Sequence, residues 1–348
     1  MQHYPVVLAI SGSDFIVQGS DDGKGGGKGA FMRRKSAHSM RSLAESLGVS
    51  PATVSRALRN QSSISASVRA TIIGEARKRG VLAPHSRNVA VLIPPTDRKL
   101  SINTLLYMNA LFRESEKRGF RLDFIPANQS ELLNERIVSG VISLDFLLDF
   151  GHRFGEYWSS LPFVCVNESS SILEGSVSVC SDEKRAVEAA VDLLAEHGHS
   201  RIALLFMGRR NVYSTALRLN AFRSRIAARS CTGTILSATE PDEFCGAGFE
   251  AVSEWILKNH HTGVVCCGEE CFRRWKPFLD ARKLSCPRDL EIVAWMFPDG
   301  PDAFPQIHAV VQQFEEQIRC AVLLLEKKIR GEEYSNLLVE NRIFFRGE

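Results

Sequence analysis

The residues of this chain best placed to do chemistry are cationic and hydroxylic. Ser50, Thr53, Ser55, Arg56 and Arg59 fall within one short stretch. Their hydroxyls and guanidinium groups suit reversible hydrogen bonding to phosphate oxygens and base edges. Raw material for covalent catalysis is thin: His260-His261, Cys266-Cys267 and Glu269-Glu270 are adjacent pairs, and none has nucleophile–base spacing. The nine cysteines are odd in number and contain no C-x-x-C. Most read as small buried residues in a reducing cytoplasm, and neither a metal ion nor another cofactor is expected. The pattern points to a binding protein rather than an enzyme.

Those groups need elements to hold them. Ser39 reads as an N-cap, with Leu43, Ala44 and Leu47 on one helical face and Gly48 as the stop. Val49 fills the turn. Ser50 caps a second helix, and Pro51 takes its first position, where a missing N–H costs nothing. Val54, Ala57 and Leu58 form the buried stripe of that helix and leave Thr53, Ser55, Arg56 and Arg59 outside. A third helix follows from about Ser65, with Val68, Ile72 and Ala76 in register and Gly80 as its end. This is the build of a helix-turn-helix, whose second helix enters the DNA major groove. A three-helix piece of an ordinary core is the competing reading, and charge decides against it. Arg33 to Arg87 holds eleven Lys/Arg against Glu45 and Glu75, a net of +9 in a chain of only +3. Such a patch binds phosphates in a salt-dependent manner. The base readers are expected at Pro51, Ala52 and Arg56, with Arg56 suited to guanine and Ala52 to a thymine methyl. Ser39, Ser50, Thr53, Ser55, Arg59 and Ser65 are expected along the phosphates.

The run G-V-S-x-x-T-V-S-R, Gly48 to Arg56, resembles the headpiece of the LacI/GalR family of bacterial regulators. S-x-S-V-R, Ser65 to Arg69, continues the resemblance, as does H-G-H-S-R-I-A-L-L, His197 to Leu205. The likeness spans about Ser39 to Gly347. It implies a transcriptional regulator, most simply a cytoplasmic, nucleoid-associated repressor that binds a near-palindromic operator as a homodimer. It also implies a small-molecule effector, a sugar or other polar metabolite, held in a cleft between two lobes.

The 348-residue length suits an all-α headpiece of about 55 residues and a two-domain core of about 260. After Pro84 apolar runs alternate with helical patterns: strands at Val89–Pro94, Arg121–Ile125, Val141–Leu144 and Phe163–Val166, then at Arg201–Phe206, Thr234–Leu236, Gly263–Cys266 and Glu291–Ala294. Helices are expected between them, among them one ending at Gly119, one near Glu131–Ser139 and one over Lys184–His197. That alternation predicts an α/β core of two doubly wound parallel-sheet lobes, and the resemblance makes it periplasmic-binding-protein type I-like. The expected boundaries are a flexible extension 1–38, a headpiece 39–82, a linker 83–88 and a core 89–348. Lobe 1 covers about 89–167 and 298–330, and lobe 2 about 168–297 and 331–348, with crossovers near Asn167, Pro298 and Arg330. No apolar run approaches the roughly 20 residues of a membrane span.

The resemblance also suggests effector contacts. Asp182-Glu183 aligns with the family's Asp-Asn pair, and Arg218 with its effector-gripping arginine. Glu269 stands in Gly268-Glu269, where Asn-Asp is usual. Trp295 stands in Ala294-Trp295-Met296-Phe297, where Gly-Tyr/Phe-Asp-Asp is usual. The expected effector set is therefore Asp182, Arg218, Glu269 and Trp295, with Trp295 a stacking face or a core residue and Arg218 a ligand grip or a salt-bridge partner. The linker departs from the family too. Only Ala83-Pro84-His85-Ser86-Arg87-Asn88 separates Leu82 from Val89. The family's leucine wedge for the minor groove has no counterpart, so weaker DNA bending is expected. In the extension, the G-K-G-G-G-K-G run has Gly29 after Lys28 and so lacks the Ser/Thr of a phosphate loop. Met32, before Arg33-Arg34-Lys35, offers an alternative start. The stripe Phe314, Ile318, Val322 and Leu325 is either core or a dimer face. A small-molecule-binding protein without DNA function is the alternative reading of the whole.

Overall fold

The computed structural model describes residues 7–10, 40–58, 61, 63–79, 87–95, 100–144, 161–168, 175–208, 210, 212–239 and 248–346. Ser39, Arg59, linker residues 83–86 and the glycine-rich run lie outside them. Among the described residues no helix is long and apolar enough to cross a membrane.

Strand β1 is Val7–Ile10, and the headpiece is α1 (Met40–Ser46), α2 (Pro51–Leu58) and α3 (Ala66–Lys78). Leu43, Ala44, Val54, Ala57, Ile72 and Ala76 close into one small core. Gly48 turns the chain with φ 63°, and the Ser50 hydroxyl accepts from the Thr53 N–H at 3.0 Å to cap α2. The register of α3 differs from the expected stripe. Val68 is exposed and Arg69 is buried, because an Arg69 Nη2 donates to the carbonyls of Gln61 and Ile64, both at 2.8 Å.

Lobe 1 contains β2 (Asn88–Ile93), α4 (Ile102–Arg118), β3 (Arg121–Pro126), β4 (Gly140–Ser143), β5 (Phe163–Val166) and β6 (Val177–Ser181). In place of the helix expected near Glu131–Ser139 a 3-10 helix runs Ala127–Glu135, kinked at Gln129. Lobe 2 contains α5 (Glu183–Glu196), β7 (Arg201–Phe206), α6 (Tyr213–Ala228), β8 (Thr232–Ser237), α7 (Phe249–Lys258), β9 (Gly263–Cys267), α8 (Glu269–Ala281), β10 (Glu291–Met296), α9 (Gly300–Ala303) and β11 (His308–Val311). The chain then returns to lobe 1 as α10 (Phe314–Arg330) and β12 (Asn336–Val339), and ends in lobe 2 as β13 (Arg342–Phe344).

The lobe 1 sheet has the order β1-β12-β6-β5-β4-β2-β3 and the lobe 2 sheet β13-β11-β10-β9-β7-β8. Among the described strands, only β1 and β13 run antiparallel to the strand they join. This is the doubly wound two-lobed architecture expected of the alternation. The crossovers are not where they were expected. β6 is hydrogen-bonded between β5 and β12 in the lobe 1 sheet, so the chain stays in lobe 1 until Asp182 rather than leaving near Asn167. It returns at Gln312-Gln313, after β11 has paired with β10, not near Pro298, and crosses last at Glu340-Asn341, not near Arg330. Residues 7–10 depart from the flexible extension too: they form an edge strand on β12.

Phe314, Ile318, Val322 and Leu325 are buried in the lobe 1 core against Val91, Leu111, Val164 and Val179. That face of α10 is therefore core and not a dimer surface.

Candidate functional site

On α2 the side chains of Ser50, Pro51, Ala52 and Arg56 are exposed, and Thr53 and Ser55 are half-buried on the same open helix. Val54 and Ala57 point the other way, into the headpiece core. Arg56 folds back along its helix, with Nε donating to the Ala52 carbonyl at 3.3 Å. Ser65 is exposed at the start of α3, its hydroxyl 3.4 Å from the Val68 N–H. The structure thus gathers every described member of the expected DNA-contacting set onto the headpiece surface.

The second site lies between the lobes. In a parallel α/β sheet the loops after the strands' carboxyl ends line the crevice, and here those ends face each other across a cavity of about 350 Å³. That volume is in the range of small-ligand pockets. Lobe 1 supplies Pro94, Ser101, Asn103, Tyr107 and Asn167; lobe 2 supplies Ser214, Thr215, Arg218, Cys267, Glu269, Trp295 and Phe297; the crossover residue Gln312 joins them.

Arg218, Glu269 and Trp295 line this cleft as expected, but their polar groups are already engaged. The Arg218 guanidinium forms a two-pronged pair with Glu183, Nε and Nη2 donating to Oε2 and Oε1 at 2.7 and 2.8 Å. Trp295 Nε1 and Gln312 Nε2 donate to the same carboxylate, each at 2.8 Å. Glu183 is therefore saturated, and it is the acceptor that orders the cleft floor. Arg218 also lies over the Trp295 indole, 5.0 Å from the ring centre, and Trp295 is only 2% exposed. The indole face is covered by Arg218 rather than open for stacking. Phe297, half-buried, is the aromatic side chain with surface to offer.

Glu269 opens α8, where the helix dipole favours a carboxylate. Its Oε2 accepts from the Phe297 N–H at 2.6 Å and its Oε1 from Arg273. Gly300 makes room for this, since a Cβ there would stand 2.7 Å from Glu269 Oε2 and 2.6 Å from Met296 Cβ. Glu269 thus buttresses the loop that carries Phe297.

Asp182 is not in the cleft. It N-caps α5 by accepting from the Arg185 N–H at 3.1 Å, and its carbonyl accepts from Asn341 at the third crossover. Its side chain borders a separate depression with Arg185 and Glu340. Of the adjacent acids it is Glu183, inside the first turn, that turns inward.

A chain of hydrogen bonds ties the lobe 1 elements together beneath the cavity. Asn167 Nδ2 donates to the Tyr107 hydroxyl at 2.6 Å, and that hydroxyl donates to Gln317 Oε1 at 2.5 Å. Asn167 Oδ1 accepts from the Ser181 N–H and from Gln317 Nε2 at 2.8 and 2.9 Å. Asn167 holds φ 52°, a left-handed conformation that asparagine tolerates better than most side chains. Burial, with the Glu183 charge second, raises the Tyr107 phenol well above its usual range, so it stays a neutral donor. Tyr107, Asn167 and Gln312 carry no site signal in the sequence, because each stands in an ordinary context and only the closed fold assembles them. Glu183 and Phe297 lie in the two runs that do carry one, Asp182-Glu183 and Ala294-Trp295-Met296-Phe297, but beside the residues expected to act. Burial pushes the Cys267 thiol up to about 12, Arg218 only partly opposing it, so this cleft thiol stays protonated.

Residues 191–342 match the periplasmic binding protein-like domain family. No curated protein sequence matches the chain. Among solved structures, the complex of the transcriptional regulator CelR with cellobiose is 21% identical with a TM-score of 0.62, covering 88% of this chain and 98% of that one. The lac repressor dimer bound to operator and the anti-inducer ONPF is 17% identical with a TM-score of 0.63, over 88% and 97%. A periplasmic binding protein/LacI transcriptional regulator from Alkaliphilus metalliredigens QYMF, complexed with D-xylulofuranose, is 17% identical with a TM-score of 0.59, over 75% and 98%. The core is thus a two-lobed ligand-cleft fold of the periplasmic-binding-protein type I class. With the three-helix unit α1–α3 before it, the chain is similar in fold to these solved regulators.

Proposed function

We propose that this protein is a sequence-specific DNA-binding transcriptional regulator, acting as a repressor, whose operator affinity is set by a small molecule in the interlobe cleft. The observation that carries the reading is the pairing of an exposed α2 face, Ser50, Pro51, Ala52 and Arg56, with a polar-lined cavity in the same chain. Arg56 reads a guanine and the hydroxyls position the phosphate backbone. Among the described residues lining the cleft, Arg218 is the cation, and it is paired with Glu183; a neutral polar effector such as a sugar fits that floor. No enzymatic step is assigned to the cleft.

One headpiece with so few base readers is weakly specific, and a homodimer on a near-palindromic operator supplies a second half-site. Ile102, Leu105 and Phe112 are about half exposed on one face of α4 and support such a dimer. A cytoplasmic, nucleoid-associated site of action follows from this reading. The short linker supports a smaller DNA bend than a leucine wedge produces.

The test is binding of the full chain to sites selected from a random DNA pool, measured by anisotropy at two salt concentrations. Salt-dependent binding to a two-fold motif, weakened by about 1–3 kcal/mol in Arg56→Ala with relaxed base preference, is expected. A chain that binds cleft ligands but shows equal, trivial affinity for all DNA would instead be a ligand-binding protein without DNA function.

A further inference from the structure

Lobe 2 carries a cluster of ionisable groups that neither the headpiece nor the cleft uses. It lies at the amino-terminal ends of the strands, away from the cavity. Glu291 and His308 are the first residues of β10 and β11, and His197 and His199 lie in the turn between α5 and β7. Three imidazoles converge on the one carboxylate. His197 Nδ1 and His308 Nε2 stand 2.7 and 2.8 Å from the same oxygen, Glu291 Oε1. His199 Nε2 stands 2.7 Å from the other oxygen, Oε2, and its Nδ1 is 2.8 Å from the Thr262 hydroxyl. The Glu291 and His308 side chains are buried, whereas that of His197 is 46% exposed, so the cluster opens to solvent on one side.

The donor set and its arrangement are those of a transition-metal site. His197 Nδ1, Glu291 Oε1 and His308 Nε2 lie within 4.8 Å of one another. Two imidazole nitrogens and a carboxylate oxygen with one open side suit a tetrahedral zinc-class ion. His199 has the part of an outer partner, holding the second carboxylate oxygen while braced by Thr262. We propose that His197, His308 and Glu291 bind a divalent transition-metal ion of the zinc class, with His199 orienting the carboxylate.

Ligation has one definite cost. In the metal-free protein each imidazole presents an N–H to Glu291, so a ligating ring must carry its proton on the other nitrogen. For His197 that nitrogen is Nε2. For His308 it is Nδ1, which accepts the Arg346 backbone N–H at 2.8 Å. A proton on Nδ1 would face that N–H, donor against donor. Metal binding and the docking of Arg346, beyond β13, therefore compete.

The experiment is titration of the chelator-stripped full chain with Co2+ and with Zn2+ against a chromogenic chelator. The expected result is one equivalent bound, with visible Co2+ bands of tetrahedral nitrogen–oxygen coordination that Zn2+ displaces. His197→Ala, on a half-exposed residue, should weaken binding by about tenfold or more, and His199→Gln by about tenfold. Arg346→Pro, which deletes the competing N–H, should tighten it. Circular dichroism checks that each variant is folded, and His197→Gln replaces His197→Ala if that variant is not. Absence of a one-to-one complex, thiolate charge-transfer bands, or binding indifferent to His197 and unchanged or weakened in Arg346→Pro would overturn the assignment.

Discussion

Glu183→Ala should be the most damaging single change in the cleft floor. The Glu183 side chain is 1% exposed and that of Arg218 9%, so both charges are removed from water. Deleting the carboxylate strands a buried guanidinium and leaves the Trp295 and Gln312 donors without their acceptor. Breaking a buried ion pair in this way costs about 3–5 kcal/mol, whereas replacing both partners by apolar groups of similar size is often close to neutral. Glu183→Leu/Arg218→Met should therefore be substantially more stable than Glu183→Ala. At about 2–4 °C per kcal/mol, the single variant should melt some 6–20 °C lower. Thermal melts of the wild type, Glu183→Leu, Arg218→Met and the double variant give the coupling energy directly, with Glu183→Ala measured beside them. A loss below about 1 kcal/mol for Glu183→Ala, or a double variant no better than the single ones, would refute the view that the pair acts as one buried unit.

Three further outcomes are expected. Leu43→Ala removes a fully buried side chain from the small headpiece core and should cost about 2–5 kcal/mol there; DNA binding should vanish in a mobility-shift assay while the core's melting transition stays in place. Burial, aided by the nearby Arg201 charge, holds the His261 imidazole below its usual range. Its folded pKa is lower than its unfolded one, so the unfolded chain binds more protons and stability should fall as pH drops through about 6.5. A melting curve measured from pH 7.5 to 5.5 should flatten in His261→Gln. Gly300→Ala would press a methyl group against Met296 and the Glu269 carboxylate. It should cost about 1–3 kcal/mol and alter ligand binding in the cleft, read by denaturation and calorimetry.

The amino-acid sequence by itself determined what is local. Helix caps and stops at Ser50, Gly48 and Gly119 depend on neighbouring residues, and the apolar runs of β2, β5 and β7 announce strands buried on both faces. The charge of the headpiece and the exposed side of α2 follow from residue order alone. Signals that conflict locally were lost. β6, V-S-V-C-S, is short and half polar, and is a strand because β5 and β12 both bond to it. α8 contains Pro277, and holds because Cys271, Phe272, Trp275 and Leu279 bury a helical stripe. The tertiary structure alone decided which crossover closes each lobe, that Glu183 rather than Asp182 turns in beneath the cleft floor, and that Arg218 is paired within the protein. It also brought Glu291 and His308 to His197 from about a hundred residues away. Caps and periodicity are set within a few residues. Side-chain convergence is set by how two sheets close on each other, and local spacing carries no record of that.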